Sequence, residues 1–365
     1  MTNKNPFTPV FGCIPPYMAG RERMIRDMSS AFEQDSVDPN WCTVFVGARG
    51  TGKTALLSLL TREAQQRGWI AVGVSCEPGL LEEVVEQTVR AAAEFVERDD
   101  RVRLKSLSLG NVFGAEWEYR NPPTSTWRTR MTDLVSALNE QGVGVLITVD
   151  EVKGNVEDMI QLASVYQHFV REERRVSLLM AGLPSHVSSL VSNDSTSFLR
   201  RAQTRKLGSV EDGEVRVALR RTIEEGGRTI DERALDAAVG PIDGFPYMMQ
   251  LVGYHAWNMN AESERITCAD VRDGVLLAQA EFKDSVLDAT YRELTDGDVA
   301  FLAAMLPDDG KPTSLKSIAE RSGKPRGTVR AYKARLVEQG IVADERRGYV
   351  VFELPGFCDY LKEKL

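Results

Sequence analysis

Gly47-Ala48-Arg49-Gly50-Thr51-Gly52-Lys53-Thr54 is the stretch on which the reading of this chain turns, because it satisfies G-x-x-x-x-G-K-[ST] in full. Before it, residues 41–46 are a short apolar run rich in β-branched side chains, the composition of a buried strand. After it, Leu56, Leu57, Leu59 and Leu60 mark the inner side of a helix predicted over residues 53–68. A glycine-rich turn between strand and helix lets the backbone curl so that its N–H groups converge on a phosphate, and the helix directs its positive N-terminus at the same anion. Lys53 then places a positive charge near the β- and γ-phosphates, and the Thr54 hydroxyl is set to hold Mg²⁺. The octet as a whole is therefore the expected site for a nucleoside triphosphate, ATP with Mg²⁺. No Asn-Lys-x-Asp guanine-reading sequence occurs, which makes a GTPase the least favoured reading.

Working outward, strand and helix patterns alternate. Residues 69–76 read as a strand and 80–97 as a helix; after 126–141 (helix) come 143–149 (strand), 156–173 (helix) and 176–181 (strand). Such alternation points to an α/β fold with a parallel sheet. Between them, Phe113, Ala115, Trp117 and Tyr119 alternate with period two, and an inserted β-hairpin is predicted over residues 101–120. The apolar strand Val145-Leu146-Ile147-Thr148-Val149 ends in Asp150-Glu151. Acids commonly end strands at a surface. A hundred residues after a phosphate loop, however, Asp150 is placed to hold Mg²⁺ and Glu151 to orient or deprotonate the attacking water. From about 211 to 294 the pattern is all helical, and 295 onward reads as a separate small module.

Composition narrows the setting. A chain of 365 residues suggests two or three domains. With 42% hydrophobic and 27% charged residues it is an ordinary globular protein rather than a disordered one. The net charge of −8 excludes a general nucleic-acid coat, so any DNA contact must come from a local basic patch. The five scattered cysteines, Cys13, Cys42, Cys76, Cys268 and Cys358, form neither a zinc pattern nor a disulfide framework and read as reduced thiols. There is no signal-peptide core and no apolar run of membrane length, so a cytoplasmic protein without a membrane partner is expected.

The Asp150-Glu151 pair after its apolar strand resembles the P-loop ATPases of the AAA+ and STAND type. Three further stretches extend the resemblance over about residues 5–260, towards the origin-recognition-like (Orc/Cdc-like) ATP-binding proteins. Pro15-Pro16-Tyr17-Met18-Ala19-Gly20-Arg21-Glu22 is similar to the segment that packs near adenine in those families, which implies that Tyr17 and Arg21 lie beside the base. Ser197-Phe198-Leu199-Arg200-Arg201 stands where they carry an arginine facing a γ-phosphate, often across a subunit interface; Arg201 and Arg200 are the candidates. The alternative is that Arg200, Arg201 and Arg205 form a plain solvated face. Asp243-Gly244-Phe245-Pro246-Tyr247 resembles the G-x-P motif of STAND ATPases, whose proline lies against the base; Pro246 also suits the first position of a helix. The chain departs from origin-recognition ATPases in having Phe245-Pro246 near Gly244 in place of a lid arginine. It also offers no clear polar sensor after the strand ending at Ala181-Gly182; Ser185 is a poor candidate. Both departures point to low turnover.

Beyond residue 295, three helical stretches separated by Gly323 and followed by two short strands resemble a winged helix-turn-helix, with residues 325–339 as recognition helix. Between Lys311 and Arg347 ten Lys/Arg stand against four Asp/Glu, a net of +6 in an acidic chain. Lys324, Arg326, Thr328, Arg330 and Lys333 lie on or beside that helix, with Arg346 and Arg347 at the expected wing tip, residue types suited to phosphate and base contacts. The expected organisation is thus an AAA+-like core over 1–208, a helical lid over 209–294 and a winged helix-turn-helix over 295–365. The function it predicts is a slowly hydrolysing switch that couples nucleotide to double-stranded DNA, with nucleotide-dependent self-association possible. The alternative is a signalling or defence ATPase whose last module docks a protein.

Overall fold

A computed structural model describes residues 4–10, 12–34, 36–98, 126–154 and 156–365. The hairpin expected at 101–120 lies outside the described residues. Five strands, β1 (Cys42–Val46), β2 (Ile70–Ser75), β3 (Val145–Asp150), β4 (Val176–Gly182) and β5 (Gln203–Lys206), form one parallel sheet in the order β2-β3-β4-β1-β5. β3 and β4 are buried almost throughout, which is why their sequences run apolar without alternating: helices cover both faces. On one face, α1 (Glu22–Phe32) and α2 (Lys53–Gln66) bring Met28, Phe32, Leu56 and Leu60 against Phe45, Leu146 and Leu179. On the other, α3 (Leu80–Arg98), α4 (Trp127–Glu140) and α5 (Glu157–Arg171) pack Val84, Leu134, Met159 and Phe169 against Val72, Ile147 and Leu178. Trp41 and Trp69 meet edge to face at 5.2 Å. A Cβ at Gly144 would lie 2.5 Å from the Trp69 ring, so the chain entering β3 passes the indole as glycine.

β5 is a strand that its sequence does not announce. Gln203-Thr204-Arg205-Lys206 is polar, pairs with β1 and sits at the edge of the sheet formed by the described residues. Before it come α6 (Pro184–Ser192) and a 3₁₀ turn, Asp194–Arg201.

The rest is helical at first: α7 (Asp212–Glu225), α8 (Glu232–Ile242), α9 (Pro246–Met259) and α10 (Cys268–Phe282), the first two joined to the last two by the parallel pair β6 (Thr229–Ile230) and β7 (Arg265–Ile266). α10 does not stop at Phe282. It continues through a π turn, Lys283–Leu287, into α11 (Asp288–Arg292). The C-terminal residues follow as α12 (Asp296–Ala303), β8 (Thr313–Ser314), α13 (Leu315–Ser322), α14 (Arg326–Glu338), β9 (Val342–Arg346), β10 (Tyr349–Phe352) and α15 (Phe357–Lys364), with the strands in an antiparallel sheet ordered β8-β10-β9. One hydrophobic cluster runs unbroken from Val215 and Leu219 through Phe245, Trp257 and Phe282 to Leu302, Leu336, Val350 and Leu361. The helices after residue 210 and the C-terminal elements therefore share a single core. One sequence reading is corrected here: β9 extends to Arg346, so the turn at the tip is only Arg347-Gly348, and Arg346 is paired across the ladder with Tyr349. No helix among the described residues is long and apolar enough to cross a membrane.

The C-terminal elements are tied internally by a buried acid. Asp298, fully buried, closes a capping box with Thr295 at the start of α12 and accepts from Arg335 Nε of α14 at 2.9 Å. Removing one partner of such a pair strands the other. Arg335→Ala is expected to destabilise these elements by about 2 kcal/mol, since Thr295 still serves the carboxylate. Urea unfolding followed by tryptophan-independent circular dichroism checks this, with the exposed Arg326→Ala, expected to cost under about 0.5 kcal/mol, as control.

Candidate nucleotide-binding site

The phosphate loop leaves β1 at Val46, and α2 starts at Lys53. Its curl needs the left-handed backbone at Gly50 (φ 78°) and Gly52 (φ 86°), where side chains are disfavoured. Thr51 is buried and its hydroxyl closes the loop on the Ala48 carbonyl at 2.8 Å. Lys53 folds back on the same turn, donating to the carbonyls of Gly47 (2.9 Å) and Ala48 (2.7 Å). Burial pushes the Lys53 ammonium down to about 8; Asp150 and Glu151 oppose this and Arg49 adds to it.

Because β1 and β3 flank β4 and run parallel, their carboxyl ends open at one level. That juxtaposition brings Thr54 and Asp150, 96 residues apart in the chain, to 2.5 Å between hydroxyl and carboxylate. Glu151 follows in the left-handed region (φ 51°), uncommon for a non-glycine residue, with its N–H donated to Asp150 Oδ1 at 2.8 Å. Its carboxylate is exposed at the mouth of the site.

The N-terminal segment runs across the same end of the sheet. A Cβ at Gly12 would touch Thr54 Cγ2 at 3.7 Å, and one at Gly52 would touch Met18 Cε at 3.9 Å. Tyr17 lies under Arg221, whose guanidinium stands 5.2 Å from the ring centroid and 3.3 Å from the hydroxyl. Burial and then Glu22 push the Tyr17 hydroxyl up. Arg21 reaches the Gly208 carbonyl at 2.5 Å; burial works against its charge, and Glu214 and Glu22 favour it. From the other side Pro246 opens α9, the Tyr247 N–H donates to the Gly50 carbonyl at 3.2 Å, and a Cβ at Gly50 would lie 2.6 Å from the Phe245 ring. Met18 and Phe245 thus approach the loop from two sides, with Tyr17 and Pro246 as their chain neighbours and Arg21 tied to Gly208.

Arg200 and Arg201 do not join this group. They precede Gln203, which pairs with Thr43 at the amino end of β1, so the length of that strand, ~13 Å, separates them from their own phosphate loop. Both are exposed, without an ion-pair partner among the described residues.

The structure adds contacts that no local sequence signal marks. Arg49 forms an ion pair with Glu293, at the end of α11, at 2.9 Å. A Cβ at Gly340, just past α14, would lie 2.5 Å from Ala48 Cβ, so the C-terminal elements rest directly on the phosphate loop. Beside this seam is a cavity of about 190 Å³ lined by Arg49, Ser185, His186, Glu293 and Gln339, among others.

At the far side of the C-terminal elements, Lys324, Arg326 and Arg330 are exposed with no ion-pair partner among the described residues, and Arg347 is exposed at the turn. Thr328 is half-buried on the same helix. Lys333 is held by Asp344 at 2.6 Å, and Arg346 stacks on Tyr349 at 4.2 Å. Arg321 and Arg335 are likewise taken by Asp308 and Asp298. The free charge is narrower than the +6 tally implies. Gly327, Ala331 and Ala334 leave the exposed side of α14 otherwise small.

The chain has the fold of an Orc-like AAA+ P-loop ATPase. A Walker-type ATPase of Pyrococcus abyssi superposes with a TM-score of 0.68 at 15% identity, covering 94% of this chain and 96% of that one. The ORC2 protein of Aeropyrum pernix, solved as ADPNP–ADP complexes, gives 0.66 at 14% identity, covering 97% and 95%. Residues 284–361 match a family model described as a domain of unknown function (DUF8462), which begins inside the π turn. No curated protein matches the sequence.

A pH dependence follows from Lys53. With its pKa at about 8 in the nucleotide-free site, the ammonium is already present at pH 7, and a bound phosphate raises the pKa. The affinity for a phosphate ligand held by Lys53 is therefore expected to be flat below pH 8 and to fall above it, by up to about tenfold per unit, with uptake of a proton. Titration calorimetry in two buffers of different ionisation enthalpy measures that uptake at pH 9 and its absence at pH 7.

Proposed function

We propose that this chain binds ATP with Mg²⁺ between the phosphate loop, the N-terminal segment and the helices after residue 209, hydrolyses it slowly, and uses its nucleotide state to govern DNA binding by the C-terminal elements. The observation that carries this reading is the meeting of Thr54 and Asp150 beside Lys53. A hydroxyl and a carboxylate at one point, next to a glycine cradle, form the oxygen donor set that a hard divalent cation takes alongside phosphate. Mg²⁺ bound there supplies charge neutralisation on the phosphates. Lys53 exchanges its two carbonyl partners for phosphate oxygens, and loop N–H groups from Gly47 to Thr54 complete the cradle. Glu151, one residue past the metal-binding acid, orients the attacking water once its exposed carboxylate turns inward. Tyr17, Arg21 and Pro246 border the base. Arg201 or Arg200, at the wrong end of the strands for its own site, serves a neighbouring copy, so hydrolysis depends on self-association. That the Aeropyrum ORC2 protein was solved with ADPNP and ADP supports the ligand class.

In this reading residues 1–208 are the core, 209–294 the lid and 295–365 a winged helix-turn-helix, with α13 and α14 flanking Gly323 and the β9–β10 hairpin as wing. Lys324, Arg326 and Arg330 at the exposed start of α14, with Arg347 at the wing, contact phosphates, and Thr328 lies beside them. Lys333 and Arg346 contribute after leaving Asp344 and Tyr349.

Lys53→Ala is expected to abolish ATP binding in equilibrium dialysis. Glu151→Gln is expected to bind ATP within about threefold of wild type and hydrolyse it about a hundredfold more slowly. Undiminished hydrolysis by Glu151→Gln overturns the assignment of Glu151.

For DNA, fluorescence anisotropy with a duplex and ATP is expected to show affinity falling steeply with salt. Arg326→Ala with Arg330→Ala weakens binding about tenfold and lowers the salt slope by about two. No binding at low salt removes DNA as the partner and leaves a docked protein as the module's target.

A further inference from the structure

We propose that Arg49 is the residue by which this site tells a triphosphate from a diphosphate: its guanidinium exchanges Glu293 for the terminal phosphate, and the exchange frees the C-terminal elements from the phosphate loop. The inference rests on the ATP reading above. Arg49 belongs to the loop that wraps the phosphates, yet its carboxylate partner comes from 244 residues away, at the end of α11. The pair lies in the middle of a seam. On one side of Arg49, Ala48 bears Gly340; on the other, Gly50 bears Phe245 and accepts from the Tyr247 N–H. Three consecutive loop residues are thus held from outside by three parts of the chain that share one hydrophobic core.

The site is short of cations where a γ-phosphate would sit. Phe245-Pro246 follows Gly244 with no arginine beside it, Arg21 is tied to Gly208, and Arg200 and Arg201 are at the opposite, amino end of β1. Lys53 and Arg49 are the two cations on the loop itself, and they are close enough that the charge of one depresses the other. The adjoining cavity of about 190 Å³, lined by Arg49 and Glu293, gives the guanidinium room to swing.

The energetic order favours exchange. Arg49 and Glu293 are each about half exposed, at 44% and 55%, and an ion pair so open to solvent holds weakly. A terminal phosphate carries more charge than a carboxylate and accepts from guanidinium in the same bidentate fashion. ADP lacks that group and leaves Arg49 with Glu293. By linkage, whatever ATP does to the seam, loosening the seam does to ATP affinity.

The test uses the full chain with Mg²⁺, measuring ATPγS and ADP binding by calorimetry and amide hydrogen exchange over residues 336–341, where α14 ends on the loop. Wild type is expected to exchange faster there with ATPγS than with ADP. Glu293→Gln is expected to raise ATPγS affinity about threefold, leave ADP affinity unchanged, and exchange fast at 336–341 without nucleotide. Arg49→Ala is expected to lose about tenfold in ATPγS affinity and under about threefold for ADP, with fast exchange whatever is bound. If wild type binds both nucleotides but neither substitution changes the ATPγS-to-ADP ratio, or if 336–341 is indifferent to ATPγS in wild type, this inference is overturned and the ATP reading stands. Failure of wild type to bind either nucleotide overturns both.

Discussion

A phosphate loop has two surfaces, and in this chain the outer one carries much of the packing. The inner one must turn its backbone N–H groups towards an anion, which demands glycine where the chain goes left-handed, at Gly50 and Gly52. The outer one is consequently almost bare of side chains, and the rest of the molecule has closed down on it. The Leu207 carbonyl comes so near Gly47 that a Cβ would sit 2.5 Å away, Gly340 lies on Ala48, and the Phe245 ring lies on Gly50. The same small residues that admit phosphate on one side admit close packing on the other. The sheet, the helices after residue 209 and the C-terminal elements are all arranged around that shared constraint.

How much of this was legible in the sequence depends on whether a feature is written in neighbouring residues. The octet from Gly47 to Thr54 and the acid at Asp150 could be read because each motif is contiguous and lies at the end of an apolar run buried on both faces. β5 could not: Gln203-Thr204-Arg205-Lys206 is an edge strand among the described residues, held by β1, and needs no apolar pattern. The Arg49–Glu293 and Ala48–Gly340 contacts were invisible for a different reason, since each joins residues more than 240 positions apart with nothing local to mark them. Charge counting around α14 gave too large a number of free cations. Asp298, Asp308 and Asp344 take up Arg335, Arg321 and Lys333, and only the positions of the acids in space reveal it. Nor does the sequence of Asp150-Glu151 show that Glu151 adopts φ 51°, because the turn is imposed by Val152, whose N–H is donated to the Ala181 carbonyl.

The division between the helices of residues 209–294 and the C-terminal elements is weaker in space than in sequence. Leu302, Leu336 and Val350 belong to the same apolar cluster as Phe245 and Phe282, and Lys283 and Lys364 both stand over the Tyr360 ring. Tyr360 in turn bonds Asp288 of α11. A group of helices that meets the phosphate loop at Gly50 and a group that meets it at Ala48 are therefore one body as far as packing is concerned.

The helix that joins them has a mechanical consequence. From Cys268 through the π turn to Arg292 it runs 25 residues without a break, ~37 Å of continuous rod. A rod transmits angle as distance: a tilt of about 5° at one end displaces the other by roughly 3 Å over that length. Glu293 stands immediately beyond one end of it, beside the nucleotide loop. The wider turn at Lys283–Leu287 sets the bearing of the final segment, where α15 is fastened through Tyr360 and Lys364 to Asp288. A small change of angle at the Glu293 end is thereby enlarged, by length alone, to a displacement of several ångströms at Cys268.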